Sequence, residues 1–140
     1  MNIFLDANIL VSVLNKEYPL FTYSARVLSL ADNPRFQLFT SPICLAIAFY
    51  FSEKKSGAVL AKKKIEILCQ KIEVSPANES TVISALHNNS IRDFEDGLEY
   101  YSATAAACTC IITEDLEDFF FSDIEVLDSL SFIKKYVMTV

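Results

Sequence analysis

Asp6 closes the short apolar run Ile3-Phe4-Leu5 and is followed at once by Ala7-Asn8-Ile9-Leu10-Val11. Such a run predicts a buried central strand. A charge at its end implies a site, because a buried carboxylate without a partner is costly. Two further acidic groups follow in the second half of the chain, Asp93-Phe94-Glu95-Asp96 and Glu114-Asp115-Leu116-Glu117-Asp118. Brought within a few Å of one another, three carboxylates repel and their pKa values rise unless a cation intervenes. Oxygen ligands without histidine or thiolate favour Mg²⁺ or Mn²⁺. The chemistry to expect is therefore that of an all-oxygen cage for a hard divalent cation.

Each acidic group also has a plainer explanation. Asp93 stands where a helix N-cap is expected, and Asp96 falls three residues on, at the capping-box position. Acids in a first turn suit the helix macrodipole, and Glu114–Asp118 reads equally as the start of a short helix. Neither account explains Gly97, since glycine inside a helix costs about 1 kcal/mol relative to alanine. Its usual justification is close approach by backbone or ligand.

The elements that must position these groups alternate between strand and helix. The Ile3–Leu5 strand is followed by helical spacing of Ile9, Leu10, Val13 and Leu14 over Asn8 to Asn15. Pro19 opens a second helix with Ala25, Leu28, Leu30 and Ala31 toward the core, and Asp32-Asn33-Pro34 is a turn. Phe36 to Phe39 is a second strand. Ser41-Pro42 starts a helix, with Ser41 as N-cap and proline at the first position. It runs to about Lys54, and Ser56-Gly57 breaks it. A helix over Ala58 to Lys71 places Val59, Leu60, Ile65, Ile67 and Leu68 on or near one face. Ile72 to Val74 is a third strand, Asn78 to His87 a helix, and Asp93 to Ala107 another. Cys110 to Thr113 and Glu125 to Leu127 are the last strands, and Asp128 to Tyr136 the closing helix. Strands alternating with helices imply a parallel sheet covered on both faces. The expected fold is α/β, a three-layer α/β/α sandwich with a central parallel sheet of about five strands. In open sheets of this kind ligands bind beyond the carboxyl ends of the strands, and Asp6, Asp96 and Asp115 all fall at strand-to-helix junctions.

Composition narrows the classes. Hydrophobic residues make up 52% and charged residues 21% of 140 residues, which indicates a compact globule and, with no linker or repeat, one domain over residues 1–140. The longest apolar run, Ile43 to Phe51, is too short to span a bilayer. Asp6 would interrupt an N-terminal apolar segment, so no signal peptide is expected and the location predicted is cytoplasmic. Cys44, Cys69, Cys108 and Cys110 make no Cys-x-x-Cys pair and one histidine is present, so a zinc site is not expected and buried free thiols are. A net charge of −6 is unfavourable for a nucleic-acid binder. Local patches matter more than the sum, however, and Lys54, Lys55, Lys62, Lys63 and Lys64 form a candidate phosphate-steering surface, or else a solvated helix face. His87 reads as a surface or helix-end residue.

Taken in order and spacing, Phe4-Leu5-Asp6-Ala7-Asn8-Ile9-Leu10, Asp93-Phe94-Glu95-Asp96-Gly97-Leu98 and Ile112-Thr113-Glu114-Asp115-Leu116-Glu117-Asp118-Phe119 resemble the PIN-domain family of nucleases, specifically bacterial members with an Asp-Phe-Glu-Asp signature. The resemblance covers nearly the whole chain. It implies a PIN-like sandwich and a Mg²⁺- or Mn²⁺-dependent endoribonuclease, similar to the toxins of toxin–antitoxin pairs. By the same resemblance Asp6, Asp96 and Asp115 are metal ligands, Asn8 orients Asp6 or a bound water, and Thr113 is a hydroxyl donor beside the site. Glu95 and Asp118 are understudies for Asp96 and Asp115, and candidate acceptors of the water's proton. An RNA substrate, a small antitoxin protein and a homodimer are the implied partners, with exposed aromatics such as Tyr50, Phe51 and Phe119 to Phe121 available for contacts. One departure stands out. The family often carries a glutamate on the helix after the second strand, and Ile47 occupies that position here. Glu53, six residues further along the helix, does not replace it. The alternative is therefore a catalytically weak or inactive PIN domain that binds nucleic acid or protein. A haloacid-dehalogenase-type phosphatase would need a second aspartate where Asn8 stands.

Overall fold

In the computed structural model, which describes residues 1–138, the strands are Asn2–Leu5 (β1), Gln37–Thr40 (β2), Glu73–Val74 (β3), Cys110–Ile112 (β4) and Glu125–Leu127 (β5). They form one sheet in the order β3-β2-β1-β4-β5, parallel throughout. The central place of β1 explains its composition. Ile3, Phe4 and Leu5 are fully buried, as strands covered on both faces must be. Leu5 lies opposite Ile112, so β1 and β4 end at the same level. The chain leaves β1 toward β2 and leaves β4 toward β5, which makes the gap between β1 and β4 the topological switch point of the sheet.

The helices are Ala7–Leu14 (α1), Phe21–Ser29 (α2), Pro42–Ser56 (α3), Ala58–Leu68 (α4), Glu79–His87 (α5), Phe94–Ala105 (α6) and Ser129–Phe132 (α7). Right-handed crossovers put α1 to α4 on one face and α5 and α6 on the other. In agreement, α1 packs on α3, α3 on α4, and α5 on α6. The sandwich expected from the alternating pattern is what forms. Ser41 caps α3 by accepting from the Cys44 amide at 3.1 Å, ahead of Pro42. Gly57, at φ +82, separates α3 from α4 in a conformation that suits glycine.

Several expectations change. The exposed side of α4 carries Val59, Leu60 and Ile67, and the residues it buries are Ala61 and Leu68, so the anticipated apolar face is split. In α2 the fully buried residues are Ser24 and Val27. The closing helix is α-helical only to Phe132 and continues as a π-helical turn, Ile133–Val137. Cys44, Cys108 and Cys110 are buried free thiols as expected, whereas Cys69 is exposed. Gly97 is explained by packing. A Cβ there would lie 3.0 Å from Ile91 Cδ1 and 3.1 Å from the Ala85 Cβ of α5, so the close approach is by protein and not by ligand. Among the described residues no helix is long and apolar enough to cross a membrane.

Candidate active site

Asp6 ends β1 and caps α1. Its Oδ1 accepts from the Ala7 amide at 2.7 Å, while its own amide continues the sheet by donating to Ile112 O at 3.0 Å. Strand and helix thus meet at one buried carboxylate. From the end of β4, the buried Thr113 hydroxyl donates to Asp6 Oδ2 at 2.7 Å. Asn8, in the first turn of α1, joins the two strand ends. Its Nδ2 donates to Thr113 Oγ1 and to Asp115 Oδ2, both at 3.1 Å, and reaches Asp6 Oδ2 at 3.4 Å. Its Oδ1 accepts from the Glu114 amide at 3.2 Å. The Asp115 amide in turn donates to Thr113 Oγ1 at 3.0 Å. Asp6 and Asp115 are therefore held by a common frame across the switch point.

The third acidic group arrives from α6. Asp93 caps the helix by accepting from the Glu95 amide at 2.9 Å. Asp96 closes no capping box and lines a cleft of about 400 Å³ with Asp6, Asn8, Glu95, Glu99, Asp115 and Asp118. Glu17 is the seventh carboxyl in that lining, and no lysine or arginine belongs to it. Electrostatics follow from the crowding. Asp96 is pushed up to about 7 by burial, then by the charges of Asp118, Asp93, Asp6 and Glu95. Glu95 and Asp118 are also raised, each by burial first and by neighbouring carboxylates second. Glu114 takes another role, its Oε1 accepting from the Ser129 amide at 3.2 Å and tying the β4 turn to α7.

Residues 2–117 match the model of the PIN domain family. The chain belongs to that family. Relatives of this PIN domain include the protein named ribonuclease VapC1 of Aquifex aeolicus (strain VF5). It is 26% identical over 141 residues, covering 96% of this chain and 94% of that protein. Similar solved structures include VapBC-1 from nontypeable Haemophilus influenzae, with a TM-score of 0.70 at 20% identity over 93% of this chain and 99% of that one. Another is VapBC2 from Rickettsia felis bound to a promoter DNA fragment, with a TM-score of 0.69 at 21% identity over 91% and 98% of the two chains. At such identities these structures establish the fold.

Within the PIN cleft the structure also brings in residues that the sequence did not announce. Glu99 of α6 is 2% exposed, and its Oε2 has no hydrogen-bond partner. Burial, then the charge of Asp6 and contact with it, then Asp96 and Glu95, push it up to about 11. Cys44 of α3 is buried with its thiol 3.9 Å from Asp6 Oδ1. Its pKa is raised by burial first and then by Glu99 and Asp6. Among the described residues, Asp6, Cys44 and Glu99 are the group whose ligand atoms all lie within 4.8 Å of one another. Asp96 and Asp115 share the cleft without joining that tightest group. The available signal for Glu99 was its spacing, three residues beyond Asp96 and four beyond Glu95, which puts all three on one helix face. Ile47 lines the cleft.

The lysine cluster is partly structural. Lys55 donates to Asn15 O, and Lys64 to Leu14 O and Ser56 Oγ, both at 3.1 Å. These contacts satisfy carbonyls at the end of α1 remote from Asp6. Lys62 and Lys63 are exposed, and so is His87 at the end of α5, apart from the cleft lining.

Proposed function

We propose that this PIN domain is a divalent-cation-dependent endoribonuclease of the toxin type, working as one domain over residues 1–140 in the cytoplasm. The observation that carries the reading is the cleft at the switch point, lined by seven carboxyls and by no basic side chain. The relative named ribonuclease VapC1 supports the activity. Buried and half-buried carboxylates without counter-ions are the donor set that a hard cation requires. Asp6, Asp96 and Asp115 would hold Mg²⁺ or Mn²⁺, which supplies Lewis-acid stabilisation of phosphoryl charge and a more acidic water. Glu95 or Asp118, both in the cleft lining, would accept the water's proton. Thr113 and Asn8 keep Asp6 and Asp115 in register by the bonds described above. Lys62 and Lys63, both exposed, remain available to steer the phosphate backbone.

The named complexes of the structural neighbours support an antitoxin partner. So do Tyr50, Phe51, Val59, Leu60 and Ile67, exposed on α3 and α4, where an antitoxin or a second copy would cover them.

The test is cleavage of end-labelled structured RNAs by the purified protein. Fragments are expected with Mn²⁺ or Mg²⁺ and none in EDTA. No cleavage, together with no Mn²⁺ binding in calorimetry, overturns the nuclease reading. Cation binding without cleavage favours instead a PIN domain that binds but does not cut, a reading favoured by the apolar Ile47 in the cleft. Asn8→Ala removes the clamp between the two strand ends and is expected to weaken Mn²⁺ binding roughly 10- to 100-fold, as outer-shell losses do. Calorimetry at neutral pH measures this, and an unchanged affinity would show that Asp6 and Asp115 need no clamp.

A further inference from the structure

We infer that Glu99 of α6 supplies the carboxylate that Ile47 does not supply from α3, so that the cation cage of this chain is completed from the opposite wall of the cleft. The inference rests on the reading above that the cleft holds a divalent cation. Three observations carry it. Glu99 is 2% exposed and lines the cleft, and although its carboxyl contacts Asp6, its Oε2 has no hydrogen-bond partner. A buried carboxylate with a purely structural role would be paired or fully hydrogen-bonded. Its ligand oxygen lies within 4.8 Å of an Asp6 oxygen, a separation that one cation between them would bridge. Finally, α3 and α6 pack together, and both Ile47 and Glu99 line the same cleft. A ligand lost from one wall can therefore be replaced from the other. The i, i+3 spacing puts Asp96 and Glu99 on one face of α6, which makes that helix the source of two ligands. Cys44, on α3, is the third member of that close group, its thiol 3.9 Å from Asp6 Oδ1.

The experiment is titration of Mn²⁺ alone, by calorimetry, into wild type, Asp6→Asn, Glu99→Gln and the double variant Ile47→Glu/Glu99→Gln, with thermal melts in EDTA to establish folding. Glu99→Gln keeps the side-chain shape and is expected to weaken Mn²⁺ binding at least 10-fold, with an EDTA melting temperature equal to or above that of wild type. The double variant is expected to recover a measurable part of the lost affinity. Glu99→Asp, charged but shorter, should fall between wild type and Glu99→Gln and serves if the glutamine variant does not fold. Binding lost in Asp6→Asn but within twofold of wild type in Glu99→Gln overturns the role of Glu99 and leaves the cation site standing. No recovery in the double variant overturns the exchange between α3 and α6. If wild type itself fails to bind Mn²⁺, the cation reading falls and this inference falls with it.

Discussion

Asp6→Asn is expected to lower metal-dependent RNA cleavage by about 100- to 1000-fold, corresponding to the several kcal/mol that a bound cation contributes to the transition state. The fold should survive. Asparagine caps a helix as well as aspartate does, so the bond from the Ala7 amide to Oδ1 at 2.7 Å is retained. What is lost is the charge on Oδ2, the oxygen that faces Thr113, Asn8 and the cleft. An amide there also presents hydrogens to Thr113 Oγ1, which already accepts from Asn8 and from the Asp115 amide. The frame joining Asp6 to Asp115 therefore loosens as well. Steady-state cleavage with Mn²⁺, compared with circular dichroism and melting in EDTA, separates the two effects. Cleavage within tenfold of wild type would remove Asp6 from the reaction.

A second large effect concerns pH. In EDTA the protein is expected to lose stability steadily as pH rises from about 4 to 8, and saturating Mn²⁺ should reverse the loss. A carboxyl whose folded pKa is raised binds its proton more tightly folded than unfolded. Its stabilising contribution is complete below the unfolded pKa and disappears as pH rises toward the folded value. Asp96, raised to about 7, covers the acid-to-neutral range. Glu99, raised to about 11, extends the loss above it. Each proton of difference is worth at most about 1.4 kcal/mol per pH unit. Water screens the half-buried Asp96, so most of the slope should come from Glu99, which is 2% exposed. Glu125 runs in the opposite sense. Burial raises it, but hydrogen bonds from Lys135 and Tyr136 outweigh that and lower it. Its contribution is present above the unfolded value and lost as pH falls through the lowered folded one, so it bears only on the acid end of the range. Mn²⁺ at a hundred times its dissociation constant adds about 2.7 kcal/mol. Urea unfolding at several pH values, with EDTA or Mn²⁺, tests this. Stability that is flat or rising with pH in EDTA would mean that the clustered acids do not strain the fold.

The location of the site follows from facts of different range. Asp6, Thr113 and Asp115 could be placed from local signals, because each closes or follows a continuous apolar run that can only be a central strand. The switch point between β1 and β4 follows from strand order, which the sequence leaves open. The hydrogen bonds of Asn8 to Thr113 and Asp115 and of Thr113 to Asp6, each across more than a hundred positions, show that the two junctions form one frame.

Helix faces were harder to assign, for a physical reason. Periodicity states which residues share a face but not what covers that face. On α4, Val59, Leu60 and Ile67 have the residue types of a core face and are exposed, because the helix presents Ala61 and Leu68 to its neighbours. On α6 the reverse holds. Glu99 has the residue type of a solvated face and is buried beside Asp6 and Cys44. Gly97 signalled a close approach by backbone or ligand, and what approaches it is the side chains of Ile91 and Ala85.

By itself the sequence determined the alternation of strand and helix, the sandwich and the strand-end carboxylates, since these depend on local pattern and on the cost of ending a buried strand in a charge. The tertiary structure alone decided which carboxylates meet. Burial and charge crowding arise between segments distant in the chain, and it is that crowding which brings Glu99 beside Asp6, opposite the gap left by Ile47.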